Sequence, residues 1–211
     1  MNIFLVGDVH GCLGAFVEMV ERYWRPDEEL FVQVGDLIDR GAHSPEVVVY
    51  AQDLLLRYPE RVVFLKGNHE FEATVYQREG GNDNWYGQCG KETLEQYASS
   101  SVSFEKHVAW FEGLPLFWEN ETVFASHAGV STTDLPFVEE NMDGVLWNRG
   151  TLKNIGKVQV FGHTPTVSRF PEFDGVANTW NIDGGTSYGR NLCGLRLAWD
   201  GTFLGSVVIG V

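Results

Sequence analysis

Three short apolar runs end in the same punctuation, and the distances between them leave few folds open. Ile3-Phe4-Leu5-Val6 runs into Gly7-Asp8, and Leu30-Phe31-Val32-Gln33-Val34 into Gly35-Asp36. Val62-Val63-Phe64-Leu65 runs through Lys66 into Gly67-Asn68. Each run is continuous rather than alternating, as in strands buried on both faces of a parallel sheet. Gly7, Gly35 and Gly67 are 28 and then 32 residues apart, about one strand–helix–strand unit. Leu13, Phe16, Val17 and Val20 supply a helical stripe for the first interval. In the second, Ser44 reads as an N-cap with Pro45 at the first helical position, and the helix continues to Tyr58. The first third is therefore expected to be β-α-β-α-β.

Residues 71–101 break the pattern. Gly80-Gly81-Asn82-Asp83-Asn84-Trp85-Tyr86-Gly87-Gln88-Cys89-Gly90 is polar and glycine-rich, so it predicts a loop before a helix-like Lys91–Ser101. Its aromatic residues suit a lid over a substrate, or else a surface loop pinned by Trp85. A helical stripe follows at Phe104–Phe111, then strand-like runs at 122–125, 157–161, 179–182, 192–199 and 203–209. Partial alternation around Trp199-Asp200-Gly201-Thr202 predicts that the last two form an antiparallel hairpin.

The whole 211-residue chain is read as one domain, long enough to bury a core without a disulfide or structural metal. Its 29 acidic and 15 basic side chains give a net charge of −14, which disfavours nucleic acid and anionic membrane as partners. Three scattered cysteines make no disulfide framework and suggest a reducing compartment. With no basic, cleavable leader at Met1–Gly11 and no apolar run of membrane-spanning length, a cytoplasmic protein is expected.

In open α/β sheets ligands gather beyond the carboxyl ends of strands. Just past five expected strand ends stand Asp8 and His10, Asp36, Asn68, His127 and His163. A lone Gly-Asp is usually a turn and a lone histidine usually structural, but such coincidences at one edge are hard to explain as turns. Two carboxylates, an amide and three imidazoles exceed what one ion takes, so two metals sharing a bridging aspartate are expected. Mixed nitrogen and oxygen ligation without thiolate points to manganese first, with iron and zinc as alternatives.

Gly7-Asp8-Val9-His10-Gly11, Gly35-Asp36-Leu37-Ile38-Asp39-Arg40-Gly41 and Gly67-Asn68-His69-Glu70 resemble the signature blocks of the phosphoprotein phosphatase branch of the calcineurin-like metallophosphoesterases. Ser126-His127-Ala128-Gly129 and Gly162-His163-Thr164 are similar to the family's distal histidine blocks, and Asn181–Leu195 to its terminal segment. The chain's length is closer to bacterial and phage members than to eukaryotic catalytic subunits. The resemblance implies an α/β fold of four layers, a central β-sandwich flanked by helices with the dimetal site at strand ends. It places Asp8, His10 and Asp36 on one ion, and Asp36, Asn68, His127 and His163 on the other.

The same resemblance implies in-line attack on phosphorus by a hydroxide held between the metals, with no covalent phosphoenzyme. Arg40 and Arg149 would grip the phosphoryl oxygens, since a guanidinium fork donates two parallel bonds, although Arg149 also fits a surface salt bridge. His69 would protonate the leaving alkoxide, oriented by Asp39. The expected substrate is a serine, threonine or tyrosine phosphoprotein. The alternative is symmetrical cleavage of dinucleoside polyphosphates, with Trp85 and Tyr86 stacking on a base. A non-catalytic metal-binding module is disfavoured because every ligand and the acid are present. The chain departs from the family at Gly184, where many relatives carry threonine, and at Arg190, where they carry glycine, and Arg190 is expected to be a surface charge. Cys89 stands where bacterial relatives often have glycine; a small buried hydrophobe is the plain expectation, a lid contact or redox-sensitive thiol the others.

Overall fold

The computed structural model describes all of residues 1–211. The first three strands are β1 (Asn2–Val6), β2 (Glu29–Gln33) and β3 (Val62–Phe64), with helices α1 (Leu13–Tyr23) and α2 (Ser44–Arg57) between them. Helices α3 (Asn68–Glu79), α4 (Asp83–Trp85), α5 (Lys91–Ser99) and α6 (Phe104–Glu112) follow. The remainder is strand and turn: β4 (Phe117–Glu119), β5 (Val123–Ser126), β6 (Val158–Phe161), β7 (Glu172–Asp174), β8 (Thr179–Asn181), β9 (Asn191–Ala198) and β10 (Phe203–Gly210).

The strands form two five-stranded sheets, ordered β10-β9-β1-β2-β3 and β4-β5-β6-β8-β7. In the first, β1, β2 and β3 run parallel, and β9 and β10 close one edge as the antiparallel hairpin the sequence predicts. In the second, β5, β6 and β8 run parallel between antiparallel edges β4 and β7. Period two explains why β1 lacks alternation. Ile3 and Leu5 point into the sandwich against Val123, Ala125 and Val160, while Phe4 and Val6 point outward into a helix-covered core with Phe16, Met19 and Phe31. Both faces are apolar because both are covered, and each fully buried phenyl or branched side chain contributes about 1.5–3 kcal/mol relative to exposure.

The outer face of the second sheet is covered differently. Between β5 and β6 no helix forms; turns carry Val130 and Val145 back onto Phe124 in a cluster of three buried residues, with Leu116 and Ile155 at its margin. The fourth layer is thus made of turns.

Two local expectations are corrected. Residues 83–90 are not a loop, because Asp83–Trp85 is helical and Tyr86–Gly90 is a π-helical turn leading directly into α5. Gly90 is there for packing: a Cβ at this position would strike the indole of Trp85, and the backbone itself is helical. Ser44 does not cap α2 with its side chain. His43 holds the cap position, and the Ser44 hydroxyl accepts a hydrogen bond from the backbone N–H of Asp39 at 3.0 Å. The three-residue strands β4 and β7 carry mostly exposed side chains and too little pattern to be anticipated. No helix is long and apolar enough to cross a membrane.

Candidate active site

The carboxyl ends of β1, β2, β3, β5, β6 and β8 meet at one edge of the sandwich and deliver buried Asp8 and His10, Asp36, Asn68 and His69, His127, His163 and Asp183 respectively. Their backbones are unusual. Seven non-glycine residues of the chain have positive φ, and five of them are His10 (47°), Asp36 (60°), Asp39 (72°), Arg40 (68°) and His163 (68°). A left-handed backbone costs a non-glycine residue roughly 1–3 kcal/mol, so the surrounding fold must impose it. Part of that imposition comes from Glu70 in the first turn of α3. Its carboxylate accepts the N–H groups of Asp36 (2.9 Å), Leu37 (2.8 Å), Ile38 (3.3 Å) and Gly67 (2.9 Å), clamping the β2 turn to the start of α3. Gly67 is needed at this junction because a Cβ there would collide with the Asp36 carboxylate.

The imidazole tautomers follow from their carbonyl partners, which can only accept. His127 Nδ1 donates to Val34 O at 3.0 Å, His163 Nε2 to Trp147 O at 3.1 Å, and His10 Nδ1 to Ile38 O at 3.1 Å. The lone pairs of His127 Nε2 and His163 Nδ1 are therefore left facing each other at 3.1 Å, with Asn68 Oδ1 2.9 Å from both. Acceptors so disposed repel unless a cation lies among them, and spacings near 3 Å suit ligands about 2.1 Å from one ion. Asp36 Oδ2 lies 3.4 Å from His127 Nε2 and, on its other side, 3.5 Å from His10 Nε2 and 3.9 Å from His69 Nε2. Asp36 is common to two metal-capable groups, Asp36–His127–His163 and His10–Asp36–His69. The donor set fits two divalent ions with Asp36 between them. Asp8 lies outside the tightest grouping, 3.9 Å from His10 Nε2, and accepts the His163 N–H at 3.1 Å.

Charge follows the geometry. Burial works against ionisation of Asp36, but the four surrounding histidines hold its carboxyl well below the usual range. Burial keeps His10, His127 and His163 neutral, His10 down to about 4, as ligation requires. Burial and the proximity of Asp183 and Asp36 raise Asp8 well above an ordinary carboxylate, and burial carries Asp183 up to about 6. Such crowding of buried carboxylates is what bound cations relieve.

Beside this cluster, His69 Nδ1 donates to Asp39 Oδ2 at 2.6 Å. Although burial opposes a charge there, Asp36 and Asp39 raise His69 well above the ordinary histidine value. Asp39 is wholly buried and also accepts from Trp85 Nε1 at 2.7 Å and from the Thr93 hydroxyl. Trp85 is itself buried and stacked near Phe104, so it is not free to stack on a base, whereas Tyr86 is exposed. Cys89 is buried, with Sγ 3.7 Å from His69 Nδ1 and its thiol pushed up by burial.

A cavity of about 260 Å³ opens over Asp36, Asn68, His69 and His163, and Arg40 and Arg149 line its sides. Both arginines are exposed; Arg149 Nη1 donates to Thr164 Oγ1 at 3.3 Å and makes no ion pair. Arg190 lies outside this cavity, its guanidinium 5.5 Å above the ring of Tyr188, which does line it. Sequence reasoning left Glu70, Thr93 and Asp183 without a role here, and gave Trp85 a different one, as a loop pin or a base-stacking ring. Asp183 carried the signal of an acidic residue beside Gly184-Gly185 after a strand, and Glu70 that of its place in the third signature block.

Comparison with known proteins agrees with this geometry. Residues 1–188 match the family model for calcineurin-like phosphoesterases. An asymmetrical bis(5'-nucleosyl)-tetraphosphatase, PrpE of Bacillus cereus, is 27% identical, the alignment covering 93% of this chain and 90% of the relative. The serine/threonine-protein phosphatase PP2A-like PPG1 of Candida albicans is 32% identical over 61% of this chain, which spans only 29% of that relative's length. A serine/threonine phosphatase structure from Saccharomyces cerevisiae superimposes with a TM-score of 0.72 at 16% identity, covering 99% of this chain and 79% of that one, a likeness of fold. With strand ends, ligand set and family model in agreement, this chain belongs to the calcineurin-like phosphoesterases and is a metal-binding hydrolase of phosphoesters.

Proposed function

We propose that the chain is a dinuclear metal-dependent phosphomonoesterase acting on phosphoproteins, at serine and threonine and with tyrosine in reach. One observation carries this: Asp36 stands between two lone-pair clusters while a charged His69–Asp39 pair borders the same cavity. In this reading Asp8, His10 and Asp36 hold one ion, and Asp36, Asn68, His127 and His163 the other. Two bound divalent cations, manganese first and iron or zinc as alternatives, supply the Lewis acidity that turns water into a nucleophile near neutral pH. Arg40 and Arg149, unpaired at the cavity wall, orient the phosphoryl oxygens. His69, its Nδ1 proton held by Asp39, presents Nε2–H to the leaving oxygen. The cavity is smaller than the roughly 300–1,000 Å³ of sites that enclose a ligand, so the phosphoryl group enters and its leaving group projects outward.

The near full-length similarity to PrpE favours a second reading, hydrolysis of a dinucleoside polyphosphate. Manganese-loaded protein offered phosphoserine and phosphotyrosine peptides beside diadenosine tetraphosphate separates the two. A kcat/KM at least ~10-fold higher on a peptide, a difference of about 1.4 kcal/mol, supports the phosphatase. The reverse supports the second reading, with two ADP marking symmetrical and ATP plus AMP asymmetrical cleavage. Absence of turnover on all three, with any of the three metals, overturns both. His69→Asn is expected to lose roughly 10²–10⁴ on alkyl phosphates and much less on aryl phosphates, whose leaving groups need no proton. Equal losses would remove His69 from that role.

A further inference from the structure

The family's reaction has no use for the thiol that the π-helical turn carries to the acid pair. Cys89 Sγ lies 3.7 Å from His69 Nδ1, which is 2.6 Å from Asp39 Oδ2, and one donor atom from each lies within 4.8 Å of the others. All three are buried, and His69 and Cys89 line the active cavity, which gives an ion a way in. A thiolate, an imidazole nitrogen and a carboxylate oxygen form a soft, four-coordinate site once a water completes it, and this donor set selects zinc or cadmium over manganese or magnesium.

We propose that Asp39, His69 and Cys89 form a third cation site, inhibitory and specific for thiophilic metals. Binding expels two protons, one from the Cys89 thiol and one from His69 Nδ1, and forms metal–sulfur, metal–nitrogen and metal–oxygen bonds. No oxidant or reductant takes part. A metal-bearing imidazole gives up its Nε2 proton far less readily than an imidazolium, so an occupied site silences the acid while leaving the other metals in place. The inhibitory consequence rests on His69 acting as that acid; the binding itself does not.

Cadmium is the probe. Manganese-loaded protein is titrated with Cd²⁺ and followed by native mass spectrometry and by the ultraviolet thiolate-to-cadmium absorption band, for the unaltered chain and for Cys89→Ser and Cys89→Ala. Cys12→Ser controls for the half-buried thiol elsewhere. The expected result is three ions per unaltered chain with a thiolate band, and two ions with no band in either Cys89 variant. Hydrolysis of an alkyl phosphate should fall roughly 10²-fold or more on filling the third site, each variant being scored against its own cadmium-free rate. A third ion retained in both Cys89 variants, or a band lost only in Cys12→Ser, overturns the proposal. If the band and stoichiometry follow Cys89 while manganese-loaded protein hydrolyses no phosphoester, the proposed function has failed and the cation site stands.

Discussion

The two sheets meet the site from opposite sides and do different work. The first lies under helices, and its strand ends carry Asp8, Asp36, the His69–Asp39 pair and most of the left-handed residues. The second is roofed by turns over a three-residue cluster and contributes imidazoles, Asp183 and, from the roof itself, Arg149. The helix-covered side fixes geometry through interlocking hydrogen bonds, Glu70 to four backbone N–H groups and Asp39 to three side chains. The turn-covered side brings exposed Met142 to the cavity wall and carries exposed Leu135, Phe137 and Val138 on the same run of turns. In this division the shared carboxylate and the His69–Asp39 pair belong to the helix-covered half, and two imidazoles and Arg149 to the turn-covered one.

Substitutions can break that division or sharpen it. The largest effect is expected from Asp36→Asn, which removes the carboxylate shared by both clusters: metal analysis should find fewer than two ions and turnover should fall to background. Retention of both ions would dissolve the asymmetry between the sheets. Next is Gly162→Ala on the second sheet, where a new Cβ would collide with the Asp8 carboxylate of the first. A loss of about 10–100-fold in metal affinity is expected, read by titration of the apo-protein. Trp85→Phe should do less, because the ring keeps its place near Phe104 while the hydrogen bond to Asp39 disappears. Activity should drop roughly 10-fold on alkyl phosphates, with aryl phosphate turnover and metal content nearly unchanged. If both substrate classes slow equally, Trp85 only packs.

The smallest effect concerns stability at α6. His107 on α6 is buried against Tyr97, whose hydroxyl lies 2.7 Å from its Nδ1, and burial lowers it to about 4. The folded chain therefore binds fewer protons than the unfolded chain between about pH 4 and the ordinary histidine value of 6.5. Its contribution is complete above pH 6.5 and declines as pH falls toward 4. Denaturant melts of His107→Gln across that window should show a shallower decline than the parent.

Much of the helix-covered half was legible because its signals are local. Continuous apolar runs, Gly-Asp punctuation and a 28- to 32-residue spacing specify parallel strands and place Asp8, Asp36 and Asn68 at one edge. The helical nature of residues 83–90, just before the expected helix from Lys91, was hidden because glycine has two uses. Gly90 was read as a turn former, whereas it makes room for an indole five residues earlier. The roles of Trp85 and Thr93 were out of reach for another reason: their contacts with Asp39 span 46 and 54 residues, and nothing in either residue's neighbourhood announces the partner. Ser44 shows a nearer conflict, a hydroxyl suited to capping that serves the Asp39 backbone instead. Asp183 gains its importance only when β8 lies beside β6 in the second sheet.

The left-handed backbones at His10, Asp36, Asp39, Arg40 and His163 carry a consequence for how such a chain can change. Five uncomfortable peptide geometries burden folding on every occasion, whether or not a reaction follows, and glycine would relieve each one. The strain is tolerated because the same side chains hold buried hydrogen bonds at the site. A descendant with glycine at these positions would shed that strain, lose the buried hydrogen bonds these side chains make, and be inert.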